Sequence, residues 1–203
     1  MKYKYRFKQK TNNHFPSLVY FQKFAGLLLE RRKFIKTNNT MDIIKEIIIQ
    51  ARQFEGETET GGQNRSPFID KINIWMPLAE LGNPYCMTGI CYTLHLLEEQ
   101  FLIKFDLPKH PGAIDFYELA KPKYKTHLFE IGNLVFWKFK TGPHGHVSII
   151  VGEPDENGNF PAFEFNVVVG DEAGVFETVR NTKGDSDLDF YGLLNISTAW
   201  KAK

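Results

Sequence analysis

The sequence predicts an α+β domain in which α-helices precede an antiparallel β-sheet. Residues 42–54 and 85–100 place apolar side chains at helical spacing, whereas the chain beyond residue 130 alternates with period two and is rich in β-formers. A short helix is expected at 114–120. Strands are expected at residues 133–139, 146–151, 161–169, 175–179 and 190–196. Helices first and a sheet second make an α+β layer architecture.

Length and composition bound the function classes. The chain has 203 residues, of which 42% are hydrophobic and 14% aromatic, enough apolar material for the core of one folded domain. Lysine and arginine total 25 against 24 aspartate and glutamate, for a formal net charge of +1. Nucleic-acid binders normally show a strongly basic balance, so no nucleic-acid partner is expected.

The N-terminal region differs from the rest in charge. Residues 1–36 contain a dense cluster of lysine and arginine and a single acid, Glu30. We expect a poorly ordered basic extension at residues 1–40, followed by one domain at residues 41–203. The alternative is a basic amphipathic segment that contacts a membrane surface or an anionic cell wall.

No segment resembles a membrane anchor or an export signal. The sequence has no apolar run long enough to span a bilayer. The stretch 15–29 is interrupted by Ser17, Gln22 and Lys23, and no small-residue cleavage site follows it. We therefore expect no stable membrane insertion, and synthesis in the cytoplasm without a signal peptide. Action outside the cytoplasm would need another export route.

The two cysteines, Cys86 and Cys91, are predicted to lie on the same helix. Five residues put them well apart around the helix axis, which disfavours a disulfide. A cysteine in the first turn of a helix lies at the positive end of the helix dipole, where the reactive thiolate is favoured. Cys86 has this position if the helix begins near residue 85, so it is the candidate nucleophile. The alternative is a buried packing cysteine.

Polar residues in the predicted strands provide partners for such a thiol. His146 opens a strand, where it can face a cleft between sheet and helix and act as a base, although His144 competes for that role. Glu164 and Asn166 alternate with apolar neighbours, so strand geometry puts both on one face. Such groups can orient a histidine base through its second ring nitrogen. The alternative is an edge strand with one solvated face.

Short motifs surround these residues in an order that is more specific than any one of them. They are GGQNR at 61–65, GNPYCM at 82–87, IGNLVFW at 131–137, GHVSIIVG at 145–152, EFN at 164–166 and VFETVR at 175–180. Together they resemble the cysteine, histidine-dependent amidohydrolases/peptidases (the CHAP family) of the papain-like NlpC clan. The resemblance spans residues 42–197.

The resemblance implies a papain-like cysteine hydrolase, with N-terminal helices packed on an antiparallel sheet. It makes Cys86 the nucleophile, His146 the general base, and Glu164 with Asn166 the orienting groups. It implies no cofactor and no metal. The Asp-rich calcium loop that precedes the cysteine in some members is absent, so no bound calcium is expected.

Five further positions complete the comparison with the family. Tyr85 and Trp137 are expected to line the cleft, with core packing the alternative for Trp137. Asn133 stands where the family usually has aspartate, and Ser148 where it usually has glycine. Gly89 stands where a bulky apolar residue is commoner. These departures leave the proposed catalytic set intact.

The implied function is hydrolysis of an amide bond in peptidoglycan, by a muramoyl–alanine amidase or a peptide endopeptidase. A phage lysin or an injected antibacterial effector would both lack a signal peptide and act on the cell wall after release or injection. An effector would have a cognate immunity protein as a partner. The sequence does not choose between these roles.

Two other classes remain open at this stage. His144 and His146 could form a metal-ligand pair in a metallohydrolase, but no third ligand has zinc spacing. A non-catalytic cell-wall-binding or phage structural module could retain the same fold, because fold does not fix function.

Overall fold

The computed structural model describes residues 40–203. The predicted basic extension, residues 1–40, lies outside the described residues except for Thr40. The helices of the described part are α1 (Thr40–Arg52), α2 (Pro67–Trp75), α3 (Cys86–Phe101) and α4 (Ala113–Leu119), followed by a single 3-10 turn at Pro122–Tyr124.

The strands form two antiparallel sheets. Their bounds are β1 Ile103–Phe105, β2 Lys125–Thr126, β3 Leu134–Phe139, β4 Gly145–Ile150, β5 Asn159–Val169, β6 Glu172–Asn181, β7 Leu188–Leu194 and β8 Trp200–Ala202. The larger sheet has six strands in the order β2-β7-β3-β4-β5-β6, and β1 pairs with β8 in a smaller one. This architecture confirms the predicted α+β class and the antiparallel sheet.

The six-stranded sheet separates two apolar clusters. Strand β3 shows the division, because its side chains alternate between the two faces. Leu134 and Phe136 face the larger cluster, which includes the apolar sides of the helices. Val135 and Trp137 belong to a smaller cluster together with Phe160 of β5. Helix α3 packs on the first face. The side chains of His146, Ser148 and Glu164 lie on the second.

Helix α3 is the central helix of the larger core. It contacts α1, α2, α4, β1, β4 and β5, and most of its residues are buried. Gly89 allows this packing, because a Cβ at that position would overlap the Phe165 ring on β5. Cys86 precedes Gly89 by three residues, so the two residues lie on the same side of the helix, the side that faces the sheet. The helix N-terminus is thereby brought to the start of β4.

Helix α2 was not predicted, although the sequence contains its start signal. Ser66 is the N-cap, and its hydroxyl oxygen accepts a hydrogen bond from the Ile69 backbone N–H at 3.1 Å. Pro67 occupies the first helical position, where its fixed φ suits the helix. Ile69 and Ile72 then bury one face against the core. None of the helices in the described residues is long and apolar enough to cross a membrane.

Candidate active site

Cys86 is the first residue of α3, as the sequence predicted for the start of that helix. It is 4% exposed and lines a cleft. The first N–H groups of a helix have no intrahelical acceptor, so they point at whatever lies beyond the N-terminus. The Cys86 sulfur therefore lies at the positive end of the helix dipole, next to backbone N–H donors that can bind an anion.

His146 lies between Cys86 and Glu164. It is the second residue of β4, is 6% exposed, and its Nε2 lies 3.2 Å from Glu164 Oε1. Since Glu164 can only accept when ionised, Nε2 carries the proton and Nδ1 is left for Cys86. Burial disfavours the charged imidazole, but the Glu164 carboxylate and the nearby Cys86 thiol outweigh it, so the pKa of His146 is raised to about 9.

Glu164 is fully buried and receives hydrogen bonds from several side chains. Arg180 on β6 binds it with both nitrogens of its fork, Nε to Oε1 at 2.8 Å and Nη2 to Oε2 at 2.9 Å. Thr178 Oγ1 donates to Oε2 at 2.9 Å, and Ser148 Oγ donates to Oε1. Burial opposes ionisation, but His146 and Arg180 outweigh it and hold the pKa of Glu164 well below its usual range.

Asn166 is placed differently from the alternation prediction. The β5–β6 register shifts between Phe165 and Val167, which makes Asn166 a bulge residue with φ of +60°. Its side chain forms no hydrogen bond to His146 in the described part of the chain, and it lines the cleft beside Cys86 and His146. Of the two predicted orienting groups, Glu164 contacts His146 and Asn166 lines the cleft.

Tyr85 and Trp137 do not line the cleft, contrary to prediction. Tyr85 is 0% exposed under the helix N-terminus, and burial raises the pKa of its hydroxyl well above the usual range, with Glu59 adding to the effect. Trp137 is 1% exposed in the smaller apolar cluster, which is the alternative stated for it. Both residues are therefore buried in the protein and do not contribute to the surface of the cleft.

The cleft has a volume of about 680 Å³ and extends away from Cys86 and His146 between two loops. One wall is residues 110–115, at the start of α4, and the other is the β3–β4 hairpin with Phe139, Pro143 and His144. His144 therefore lies on the cleft wall, and His146 is the histidine whose pKa the Cys86 thiol helps to raise. The sequence did not single out residues 110–115, because nothing in their composition indicates which loop faces the cysteine.

Cys91 provides an internal contrast. It is 5% exposed and lies away from the helix N-terminus, and burial raises the pKa of its thiol to about 12. The metal alternative lacks a ligand set, since no three His, Cys, Asp or Glu side chains within residues 40–203 converge in a way that could hold an ion. The Nε2 atom of His146 in particular is occupied by its contact with Glu164.

Ser148, Thr178 and Arg180 were not predicted as site residues. Arg180 ends the VFETVR motif, and its charge opposite the Glu164 strand was the available signal. Ser148 was noted only as a departure from glycine. Pairing of β5 with β6 puts Thr178 beside Ala162 and Arg180 beside Phe160, on the same face as Glu164. The β5–β6 register that places Thr178 and Arg180 on this face depends on the tertiary structure and cannot be read from either strand alone.

Comparison with known proteins gives no independent assignment. No protein-family model, no curated protein and no solved structure matches the chain.

Proposed function

We propose that this chain is a papain-like cysteine hydrolase that cleaves an amide bond of peptidoglycan, with Cys86 as nucleophile and His146 as general base. The observation that carries the proposal is that His146 lines the same cleft as Cys86, close enough for the thiol to help raise its pKa, while its Nε2 contacts the buried carboxylate of Glu164. Nucleophile, base and orienting group thus form one chain, the arrangement that thiol acyl transfer requires. A cleft next to the thiol supplies room for a peptide.

The first half of the reaction forms an acyl-enzyme. The Cys86 thiolate attacks the amide carbonyl carbon, and the carbonyl oxygen becomes an oxyanion that accepts a hydrogen bond from the Cys86 backbone N–H. Collapse of this intermediate breaks the C–N bond. The His146 imidazolium donates its Nδ1 proton to the departing amine nitrogen, which leaves a thioester on Cys86.

The second half releases the acid. Neutral His146 removes a proton from water as the water oxygen attacks the thioester carbonyl carbon. The C–S bond then breaks, and the Cys86 thiolate and the His146 imidazolium are regenerated with the free carboxylic acid. Glu164 stays ionised throughout, keeps Nε2 protonated and stabilises the imidazolium.

Peptidoglycan as the substrate is supported by the order of the sequence motifs, and the cleft is compatible with a stem peptide. The protein would act on the cell wall after release or injection. The test is digestion of purified sacculi by the full chain, with the new termini identified by mass spectrometry. Free muramoyl lactyl carboxylates paired with new alanine amino termini would identify an amidase, and new termini inside the peptides an endopeptidase. Intact sacculi together with binding of the chain would instead favour the non-catalytic wall-binding module.

A further inference from the structure

Behind His146 lies a second chain of hydrogen bonds that the proposed reaction does not use. Trp137 Nε1 donates to Ser148 Oγ at 3.1 Å, and Ser148 Oγ donates to Glu164 Oε1, the oxygen that His146 Nε2 contacts. All four side chains are buried. Trp137 and His146 are cross-strand partners in β3 and β4, so the chain runs back along the same face of the sheet.

The direction of this chain follows from the chemistry of its members. The Trp137 indole N–H can only donate, and the Glu164 carboxylate can only accept. Ser148 has one hydroxyl proton, which is therefore directed at Glu164 while its oxygen accepts from Trp137. Each bond polarises the next, so the Trp137 contact makes the Ser148 hydroxyl a stronger donor.

The Glu164 oxygen at the centre of the chain is shared. Oε1 receives Ser148 Oγ, Arg180 Nε and His146 Nε2, while a carboxylate oxygen offers about two lone-pair sites. Of the two N–H contacts, the His146 contact is the longer, 3.2 Å against 2.8 Å. The three donors therefore compete, and the Ser148 hydroxyl takes acceptor capacity that His146 would otherwise use.

We propose that Ser148, held by Trp137, is a positioning residue that limits the pull of Glu164 on the His146 proton and so sets the pH at which His146 releases it. The catalytic meaning of the inference rests on the proposed function, since it requires His146 to be the base. The hydrogen-bond chain can be measured without any substrate.

Other charged groups must be held constant in such a test. Glu164 is paired on its far side with Arg180, and Arg180 Nη1 binds Asp185 at 2.7 Å. The groups that face His146 or its partners from the packed elements and the cleft are Cys86, Tyr85, Glu59, His110, Asp115, His144, Glu164, Arg180 and Asp185. None of these is altered by the substitutions proposed below, apart from Cys86, which is replaced in every sample.

The experiment is an NMR titration of His146 in the full chain labelled at histidine, with the His146 signal assigned by its loss in His146→Gln. Cys86→Ala serves as the common background, because a titrating thiol would otherwise couple to the imidazole. Ser148→Ala removes the hydroxyl dipole whose positive end points at Glu164 Oε1. The His146 midpoint should rise by about 0.5 to 1 pH unit. Ser148→Gly lacks the same hydroxyl and should give the same rise.

Trp137→Phe tests the second link. It removes the indole donor but keeps an aromatic ring, and it should raise the midpoint by less than Ser148→Ala does. If Trp137 acts only through Ser148, adding Trp137→Phe to Ser148→Ala should give no further rise. The control is Thr93→Val, which removes a buried hydroxyl that donates to Gly89 O at 2.9 Å on α3, far from this chain of hydrogen bonds. It should leave the midpoint unchanged.

The outcomes separate this inference from the proposed function. An unchanged or lowered midpoint in both Ser148→Ala and Ser148→Gly would overturn the positioning role, and so would a Trp137→Phe effect that persists without the hydroxyl. Raised midpoints in a chain that hydrolyses no peptidoglycan would sink the proposed function and leave the hydrogen-bond chain standing. Full hydrolysis of peptidoglycan with unchanged His146 midpoints would support the proposed function and overturn the positioning role of Ser148.

Discussion

His146 Nε2 lies 3.2 Å from Glu164 Oε1, and the two side chains are 7% and 0% exposed. A buried carboxylate is stable as an ion only with partners, and Arg180 is the second partner here. The pair therefore fixes the ring orientation of the histidine. It also makes the free energy of unfolding depend on whether His146 is protonated.

Glu164→Gln should impair both stability and catalysis. The amide leaves the Arg180 guanidinium, which is 18% exposed, with Asp185 as its remaining carboxylate partner, and breaking a buried ion pair costs about 3 kcal/mol or more. Turnover should fall by about a thousand-fold or more, because the histidine loses its orienting carboxylate. Urea unfolding and a peptidoglycan turnover assay measure the two effects.

The matched control for this substitution is Glu177→Gln. Glu177 also pairs with an arginine, Arg52 at 2.6 Å, but the side chains are 36% and 46% exposed. Exposed pairs contribute little, so the free energy of unfolding should change by less than about 1 kcal/mol and turnover should not change. Equal effects at positions 164 and 177 would contradict the special role of the buried pair.

The contribution of His146 to stability should decline with rising pH. Its pKa is raised from 6.5 to about 9, because Glu164 and Cys86 outweigh the opposing effect of burial. A raised pKa in the folded state stabilises the protein fully below pH 6.5, and this contribution is lost as pH rises to about 9. The free energy of unfolding of the wild type, relative to His146→Gln, should therefore fall by about 3 kcal/mol between pH 6 and 9.5.

The Glu164 contribution has the opposite sign. Its pKa is lowered from 4.5, against the effect of burial, by His146 and Arg180, so its contribution is present above pH 4.5 and is lost as the pH falls below that value. Urea unfolding across the pH range tests both signs. A difference between wild type and His146→Gln that grows from pH 6 to 9.5 would show that the sign for His146 is wrong.

Asn166 permits a separation of backbone and side-chain roles. Its φ of +60° lies in the left-handed region, which glycine adopts freely and alanine does not. Asn166→Gly should keep the free energy of unfolding within about 0.5 kcal/mol and lower turnover, because the cleft loses its amide. Asn166→Ala should lower both the free energy of unfolding and turnover, because holding alanine at this φ costs about 1 kcal/mol. Normal turnover in Asn166→Gly would exclude a substrate contact.

Gly89→Ala should destabilise the protein although alanine is the better helix former. The Cβ would overlap the Phe165 ring, and overpacking a core costs about 1–3 kcal/mol. That cost exceeds the gain in helix propensity of about 1 kcal/mol. Phe165→Leu should recover part of the loss in the double variant. Calorimetry of the four proteins measures this, and a more stable Gly89→Ala would contradict the packing described for α3.

The positions of the residues around the Cys86 thiol were predictable because their signals are local. Helix α3 has Pro84 before it and an apolar stripe along it, and the strand that begins with His146 alternates clearly. Glu164 was found for the same reason, as a polar residue within an apolar strand. Its neighbours on the sheet, Ser148 and Arg180, were not predicted as site residues, because no single segment of the sequence indicates how the strands pair across the sheet.

The misplaced residues have specific physical causes. Strict alternation put Asn166 beside Glu164, and a one-residue bulge redirects it to the cleft. The small sheet of β1 and β8 pairs Ile103 with Ala202, a separation too long for any local pattern to indicate. Trp137 was expected in the cleft by position, but its indole N–H finds a buried acceptor in Ser148 instead.

The central claim is that Cys86 carries out covalent catalysis, and the most direct test compares two cysteine substitutions. Turnover of purified peptidoglycan is measured for the wild type, Cys86→Ala and Cys91→Ala, with circular dichroism to confirm folding. Cys91 is buried away from the cleft, so its loss should lower stability by about 1 kcal/mol and leave turnover intact. Cys86→Ala should abolish turnover while the fold remains. Normal turnover by folded Cys86→Ala would contradict the account.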